Sequence, residues 1–299
     1  MTKLKQFLRN SENISLLNIC IILLLISGCT SSTAPTYLKE DIDIAIRDIC
    51  KSEYKIDVLV KPVASTLWIY MPVEDMLKNM DKPEKYTEIF SIEENAGGFQ
   101  DGVFNFEYSI KAIPGEEKIQ NVFLDPQVME KINDILQVLR RVLFSMEKLK
   151  KGEPQFITIV AGDIKNGIIL KNIFYYKDFK KFLYGFISLT EYQHRSIDDM
   201  DKSEKIINDK QGVSLTYHDF TMEEFAGLQI LHRIKLKFQK PEVDKNADID
   251  KEIIKVITHV IKTYELSDFN AVQIYNLLTQ NKVSLSREAI LTRPSEQKP

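Results

Sequence analysis

Glu191 and His194 stand three residues apart, and Asp198, Asp199 and Asp201 follow within seven more. Ligands at i and i+3 of a helix can share a cation, so this is the most metal-like stretch of the chain. A di-iron carboxylate site, however, needs two such motifs and two further glutamates from other helices, and a zinc peptidase needs His-Glu-x-x-His. One copy is present, and it reads as a polar helix end followed by an acidic solvated loop. Asp244, Asn246 and Asp248 imitate the start of a calcium loop, but Ile249 stands where the sharp turn needs glycine and Lys255 where a bidentate glutamate belongs. Asp248 or Asp250 serves better as a helix cap. His218-Asp219 is a possible base with its orienter, or plain loop polarity. The remaining histidines, His232 and His259, have no cysteine nucleophile to serve, and no serine lies in a Gly-x-Ser-x-Gly elbow. Asn95 to Gly102, NAGGFQDG, has neither phosphate-loop nor dinucleotide spacing and precedes a strand, so a flexible loop is expected there. No catalytic, metal or cofactor site is assigned from these patterns.

The residue with the clearest chemistry is Cys29. Lys3, Lys5 and Arg9 oppose only Glu12 at the N-terminus, and an apolar run of about 13 residues follows from Ile14 to Ile26. Crossing ~30 Å of hydrocarbon takes about 20 residues, so the run fits the core of a signal peptide better than a permanent span. It ends at Ile26-Ser27-Gly28-Cys29. This sequence resembles the lipobox of bacterial lipoproteins, in which a branched apolar residue and two small ones precede a cysteine. The thiol is nucleophilic enough to take a diacylglyceryl group, and the small residues let a peptidase grip extended backbone. The resemblance implies thioether lipidation of Cys29, cleavage between Gly28 and Cys29, and the option of acylating the freed α-amine. It covers about the first tenth of the chain. An uncleaved anchor, or an ordinary secretory signal, would leave the small-small-cysteine triplet unexplained. Two acyl chains hold a protein stably without polybasic help. The tether from Thr30 to Thr36 reaches at most ~25 Å, so the folded part is expected to work near a lipid surface in the cell envelope. Thr30 is not the aspartate associated with inner-membrane retention, which favours the outer membrane where there is one.

Composition narrows the partners. The formal charge is −3, and losing residues 1–28 removes three positive and one negative residue, leaving −5. No basic stripe is available to neutralise phosphates, which argues against nucleic acid. An apolar content of 44% suits a folded domain. Cys20 leaves with the signal and Cys29 would be alkylated, so Cys50 is the one remaining thiol and no internal disulfide can form. Its spacing with Ile42, Ile46 and Ile49 places it in a core.

The elements follow from periodicity. Leu38 to Cys50 reads as a helix. Ile56 to Val60 and Leu67 to Met71 read as a hairpin, with Trp68 and Tyr70 facing a second buried layer. Short helices are expected near Glu74–Met80 and after Pro83, and a strand from Val103 closed by Pro114-Gly115. Asp125 and Pro126 start a long helix reaching about Lys150. A hairpin with a two-residue turn at Asn166-Gly167 comes next, then a helix capped by Asp178. GVSLTY (212–217) and RIKLKF (233–238) read as strands, with a Thr221–Glu224 capping box between them. A helix from Ile253 to Tyr264 and a last one over Phe269–Leu278 complete the pattern, ahead of a frayed end from Thr292. Among the aromatics, Phe104, Phe106, Tyr108 and Phe174 to Tyr176 belong either to two-sided cores or to a face that stacks on a sugar or partner.

The resulting class is α+β, with mostly antiparallel sheets packed against amphipathic helices. A signal peptide (1–28) and a lipidated tether (29–36) precede either two subdomains, 37–120 and 121–299, or one domain over 37–299, with the long helix as a shared spine. Three functions fit. A non-enzymatic scaffold, tether or assembly factor meeting an envelope protein comes first, then a module binding a small ligand or glycan, then an anchored hydrolase.

Overall fold

The computed structural model describes residues 41–144, 153–239 and 243–293. Gly28, Cys29 and the tether lie outside them, as does the stretch 145–150 expected to end the long helix. The chain is α+β, as expected, and its two sheets are mostly antiparallel, though not purely so, since each contains one parallel pairing.

The first sheet has the order β1-β2-β5-β6-β7. β1 (Leu59–Val63) and β2 (Thr66–Val73) form the expected hairpin, and β2 then pairs in parallel with β5 (Phe156–Asp163). β6 (Ile168–Tyr175) and β7 (Ile197–Lys202) complete it antiparallel. β5 is buried along its whole length, as a central strand covered on both faces must be. One face packs on α1 (Ile42–Tyr54) and α2 (Pro126–Phe144) through Ile46, Cys50, Ile69, Leu139 and Ile159. The other carries Trp68, Tyr70, Phe156, Val160 and Ile173, the second layer expected for Trp68 and Tyr70. Cys50 is buried, and burial followed by the nearby Asp134 charge pushes its thiol pKa up to about 12.

The second sheet has the order β3-β4-β8-β9, and much of it overturns the expected elements. Helices were expected over Glu74–Met80 and after Pro83, yet β3 runs from Leu77 to Gln100. Pro83 is tolerated because it sits in a register shift between the pairs Asn79↔Val122 and Glu84↔Gln120, where no ladder hydrogen bond needs its missing N–H. β4 (Val103–Leu124) continues through Pro114-Gly115 across a second shift. It therefore also continues through residue 120. NAGGFQDG is the end of β3 and its turn, not a free loop. Gln100 pairs with Val103 around Asp101 and Gly102, both at positive φ (51° and 77°), the geometry of a two-residue hairpin turn. That geometry was expected at Asn166-Gly167. There, four residues (164–167) separate the paired Asp163 and Ile168, and of these Gly167 has positive φ.

β8 (Ala271–Asn276) pairs in parallel with β4 where a helix was expected, and β9 (Asn281–Ser286) follows before α7 (Arg287–Leu291). RIKLKF is not a strand but the last part of α5 (Met222–Gln239). GVSLTY forms no strand either; Asp209 accepts hydrogen bonds from the N–H groups of Gln211, Val213 and Ser214 and holds this stretch as an irregular loop. Asp178 is not a cap. It is buried inside α3 (Tyr176–Leu183), while α4 (Leu189–Arg195) is capped by Ser188. α6 (Ile249–Thr263) is capped by Asp248, as expected.

α5 joins the layers. Phe225 packs with the aromatic face of the first sheet, whereas Ala226, Ile230, Ile234 and Phe238 pack on the second sheet and α6. The shared spine is thus α5 and not the longer α2, whose buried residues all serve the first core.

Candidate binding cleft

The second face of the first sheet is not fully covered. A cleft of about 820 Å³ opens there, bounded by β3 and α5. Its floor is Trp68, Val160, Ile169, Ile173 and Ile197, contributed by β2, β5, β6 and β7. One wall is a single face of α5: Glu224, Leu228, Leu231, His232 and Lys235 follow helical spacing. The tip of β3 brings Asn95, Gly98 and Phe99, and the loop before α5 brings His218 and Phe220.

Each wall is held by identifiable contacts. The Thr221–Glu224 capping box forms as expected: Glu224 N–H donates to Thr221 Oγ1 (3.1 Å) and Thr221 N–H to Glu224 Oε2 (2.8 Å). Trp68 Nε1 donates to the His218 carbonyl (2.8 Å), and Phe220 N–H donates to Thr66 Oγ1 (2.9 Å). Asn95 Nδ2 donates to the Leu231 carbonyl (2.9 Å), tying β3 to α5. Below that bond, a Cβ placed on Gly227 would meet the Gly98 Cα at 3.2 Å, so small residues set the spacing of helix and strand. At Gly97, φ is +141° and a Cβ would fall 2.0 Å from the Asn105 carbonyl oxygen.

The lining combines an aromatic shelf with a charged mouth. The ring centroids of His218 and Phe220 lie 4.3 Å apart, and the Trp68 and Phe220 rings stack at 5.9 Å. Lys171, Lys205 and Lys235 face Asp199 and Glu224. Lys171 lies 3.7 Å from Asp201 and Lys235 3.7 Å from Asp199, while Glu224 is engaged in the capping box. Among the described residues, Lys205 has no ion-pair partner. Burial, the largest influence, holds the His232 imidazole below the ordinary histidine value, so it is neutral at pH 7.

The sequence-derived candidates are used structurally. Asp219 does not orient His218; its Oδ1 accepts from Ser65 N–H, Ser65 Oγ and Thr66 Oγ1. Glu191 accepts from Arg195 Nε at 2.8 Å, and the His194 carbonyl accepts from Gln229 and Arg233. Asp198, Asp199 and Asp201 belong to the edge strand β7 and not to a solvated loop, with Asn172 Nδ2 donating to Asp198 at 2.6 Å. Charged side chains suit an edge strand, where they discourage pairing with another chain. Asp244 accepts from Asn246 N–H in a local turn, and His259 is exposed on α6. Among the described residues, no three His, Cys, Asp or Glu side chains gather as a metal ion needs, and no helix is long and apolar enough to cross a membrane.

Sequence reasoning found the Thr221–Glu224 box and the buried role of Trp68, but not the cleft. Its lining comes from β2, β3, β5, β6, β7, the segment between β7 and α5, and α5 itself, and the end of the α5 wall, at Lys235, falls in a stretch whose alternation imitates a strand. The available signal was the spacing of Leu228, Leu231 and Lys235 behind a capping box. Comparison with protein-family models, with characterised proteins and with solved structures finds no match to this chain.

Proposed function

We propose that this is a bacterial envelope lipoprotein, held to a membrane through lipidated Cys29, whose folded part binds a small amphipathic ligand. The observation that carries the binding function is the cleft. Its 820 Å³ lies within the ~300–1,000 Å³ usual for small-molecule sites, and an apolar floor edged by a few polar groups is the usual composition of such sites. Three lysines against two carboxylates, one of which is engaged in a helix cap, select a ligand with an apolar body and one negative charge, met by Lys205. Binding without chemistry is favoured because, among the described residues, no carboxylate orients His218, and Ser214 Oγ donates to Asp209, whose carboxylate is already occupied by the N–H groups of Gln211, Val213 and Ser214. This ranks the ligand-binding reading above the scaffold and the hydrolase.

Trp68 is the sole tryptophan of the chain and lines the cleft, so its fluorescence reports occupancy. The mature chain is titrated with laurate, with lysophosphatidylglycerol, with neutral dodecanol and with an oligosaccharide. A saturable change in Trp68 emission is expected with the first two, at lower concentration than with dodecanol. No response to any of the four, together with native mass spectra free of co-purifying small molecules, overturns the ligand-binding reading. The anchor is tested separately: labelled fatty acid is expected to incorporate in cells, and Cys29→Ser is expected to abolish it.

A further inference from the structure

We infer that the turn joining α3 to α4 is a membrane-contacting tip, at which Tyr184, Phe186 and Leu189 enter the interface of an anionic bilayer while Lys177 and Lys181 meet lipid phosphates. This rests on the membrane location proposed from Cys29 and is independent of the cleft.

Three large apolar side chains project here from a braced turn. Phe186 is 77% exposed, Tyr184 62% and Leu189 55%. Their neighbours in sequence, Phe182, Leu183 and Ile187, pack inward against the first core, and the Phe182 ring stacks on Tyr192 at 4.8 Å. Gly185 at φ +75° ends α3, with Tyr184 N–H donating to the Lys180 carbonyl and Phe186 N–H to the Lys181 carbonyl. The Tyr184 ring also stacks on Phe144 at 5.5 Å. These bonds fix the backbone of the turn, from which Phe186 projects outward.

The charge around the tip names the occupant. Lys177 and Lys181 are exposed and stand four residues apart, with Tyr184 three further on, so the two cations and the ring share one side of the helix. The nearby acids are largely satisfied within the fold: Asp178 is buried and pairs closely with Arg195 (2.9 Å) and more loosely with Lys181 (3.7 Å), Glu191 pairs with Arg195, and Glu153 pairs with Lys180, so Lys177 and the exposed outer side of Lys181 are left to meet phosphate. Aromatic rings at headgroup depth with lysines reaching phosphate are the residue types of a lipid–water interface. Against a mature formal charge of −5, this local basic edge also sets which side of the domain an anionic surface attracts. The anchor can reach. Arg141, near the end of α2 that carries Phe144, pairs with Glu53 in the last turn of α1 (2.7 Å). The tip therefore lies about one length of α1, ~20 Å, from the point where the tether joins. The 13 residues from Cys29 to Ile42 span up to ~45 Å.

Phe186→Trp in the mature chain tests the inference, with the parent chain, whose single tryptophan is the buried Trp68, as the control. Vesicles contain 30% phosphatidylglycerol in phosphatidylcholine, with or without brominated acyl chains, and the mass of the N-terminal peptide reports lipidation independently. The introduced indole is expected to shift to the blue and to lose at least half its emission to brominated lipid. This effect is expected to fall severalfold in pure phosphatidylcholine, or when Lys177→Glu and Lys181→Glu are added. A lipidated, vesicle-bound chain without quenching overturns the tip and leaves the anchor standing. Quenching in a chain with unmodified Cys29 supports the tip and sinks the anchor; neither signal sinks both. Shielding of the introduced indole from acrylamide solely by another envelope protein also overturns it.

Discussion

Arg195 Nη1 donates to Asp178 Oδ1 at 2.9 Å, with the Asp178 side chain 2% exposed and that of Arg195 13%. The pair binds α3 to the end of α4, and Glu191 closes it from the other side. The Tyr264 hydroxyl feels the same carboxylate: its pKa is pushed up by burial first and by the Asp178 charge next. Glu191, of the most metal-like motif, thus serves to hold the arginine that neutralises one buried carboxylate. Arg195→Met removes the closest cation from that buried carboxylate, leaving Lys181 at 3.7 Å, and is expected to cost about 3–5 kcal/mol. The double variant with Asp178→Asn is expected to recover most of the loss, as urea melts of the four-member cycle will measure.

Asp163 is buried, and its carboxylate accepts from the N–H groups of Met76, Lys165 and Asn166 and from Asn166 Nδ2. Burial would raise its pKa, but these donors together hold it below the ordinary value. A carboxyl with a depressed folded pKa stabilises above its unfolded value and loses that contribution as pH falls through the folded one. Unfolding free energy is therefore expected to drop from pH 5 towards pH 2 more steeply in the parent than in Asp163→Asn. At pH 7 the variant is expected to be less stable by about 1–3 kcal/mol.

Gly97→Ala places a Cβ 2.0 Å from a backbone carbonyl that cannot move without breaking the β3–β4 ladder. A loss of about 2–4 kcal/mol is expected. Nothing lies within 4 Å of a Cβ at Gly98, so Gly98→Ala is expected to cost less. Thermal melts of the two variants check the order.

Cys50 is fully buried with its thiol pKa at about 12. Iodoacetamide at pH 8 is expected to leave it unmodified in the folded mature chain and to alkylate it at once in 6 M guanidinium, since the thiolate is the nucleophile. Rapid labelling without denaturant would contradict the packing of α1 on the first sheet.

Leu231→Glu introduces a carboxylate into the cleft wall opposite the apolar floor. Affinity for laurate, read from Trp68, is expected to fall at least tenfold while the melting transition stays cooperative. Lys205→Ala is expected to weaken laurate severalfold and to leave dodecanol unchanged.

Elements that bury a single face were legible from the residues. α1, α2 and α6 each carry one apolar stripe, Asp125, Asp248 and the Thr221–Glu224 pair marked true helix starts, and Cys50 lay in phase with Ile42, Ile46 and Ile49. The resemblance of residues 26–29 to a lipobox is likewise read from the sequence, and it rests there.

Tertiary structure decided what local patterns could not express. RIKLKF reads as a strand because α5 is buried on two sides, which erases the single stripe by which a helix is known. The segment from Leu77 to Leu124 became one long ribbon because its two halves pair with each other across bulges that absorb Pro83 and Pro114. β2 met β5, and β4 met β8, in parallel across long intervening segments, so nothing in either strand alone named its partner. The cleft arises from the same cause. A helix shared between two sheets can cover only part of the aromatic face of the first, and the uncovered part becomes the cleft.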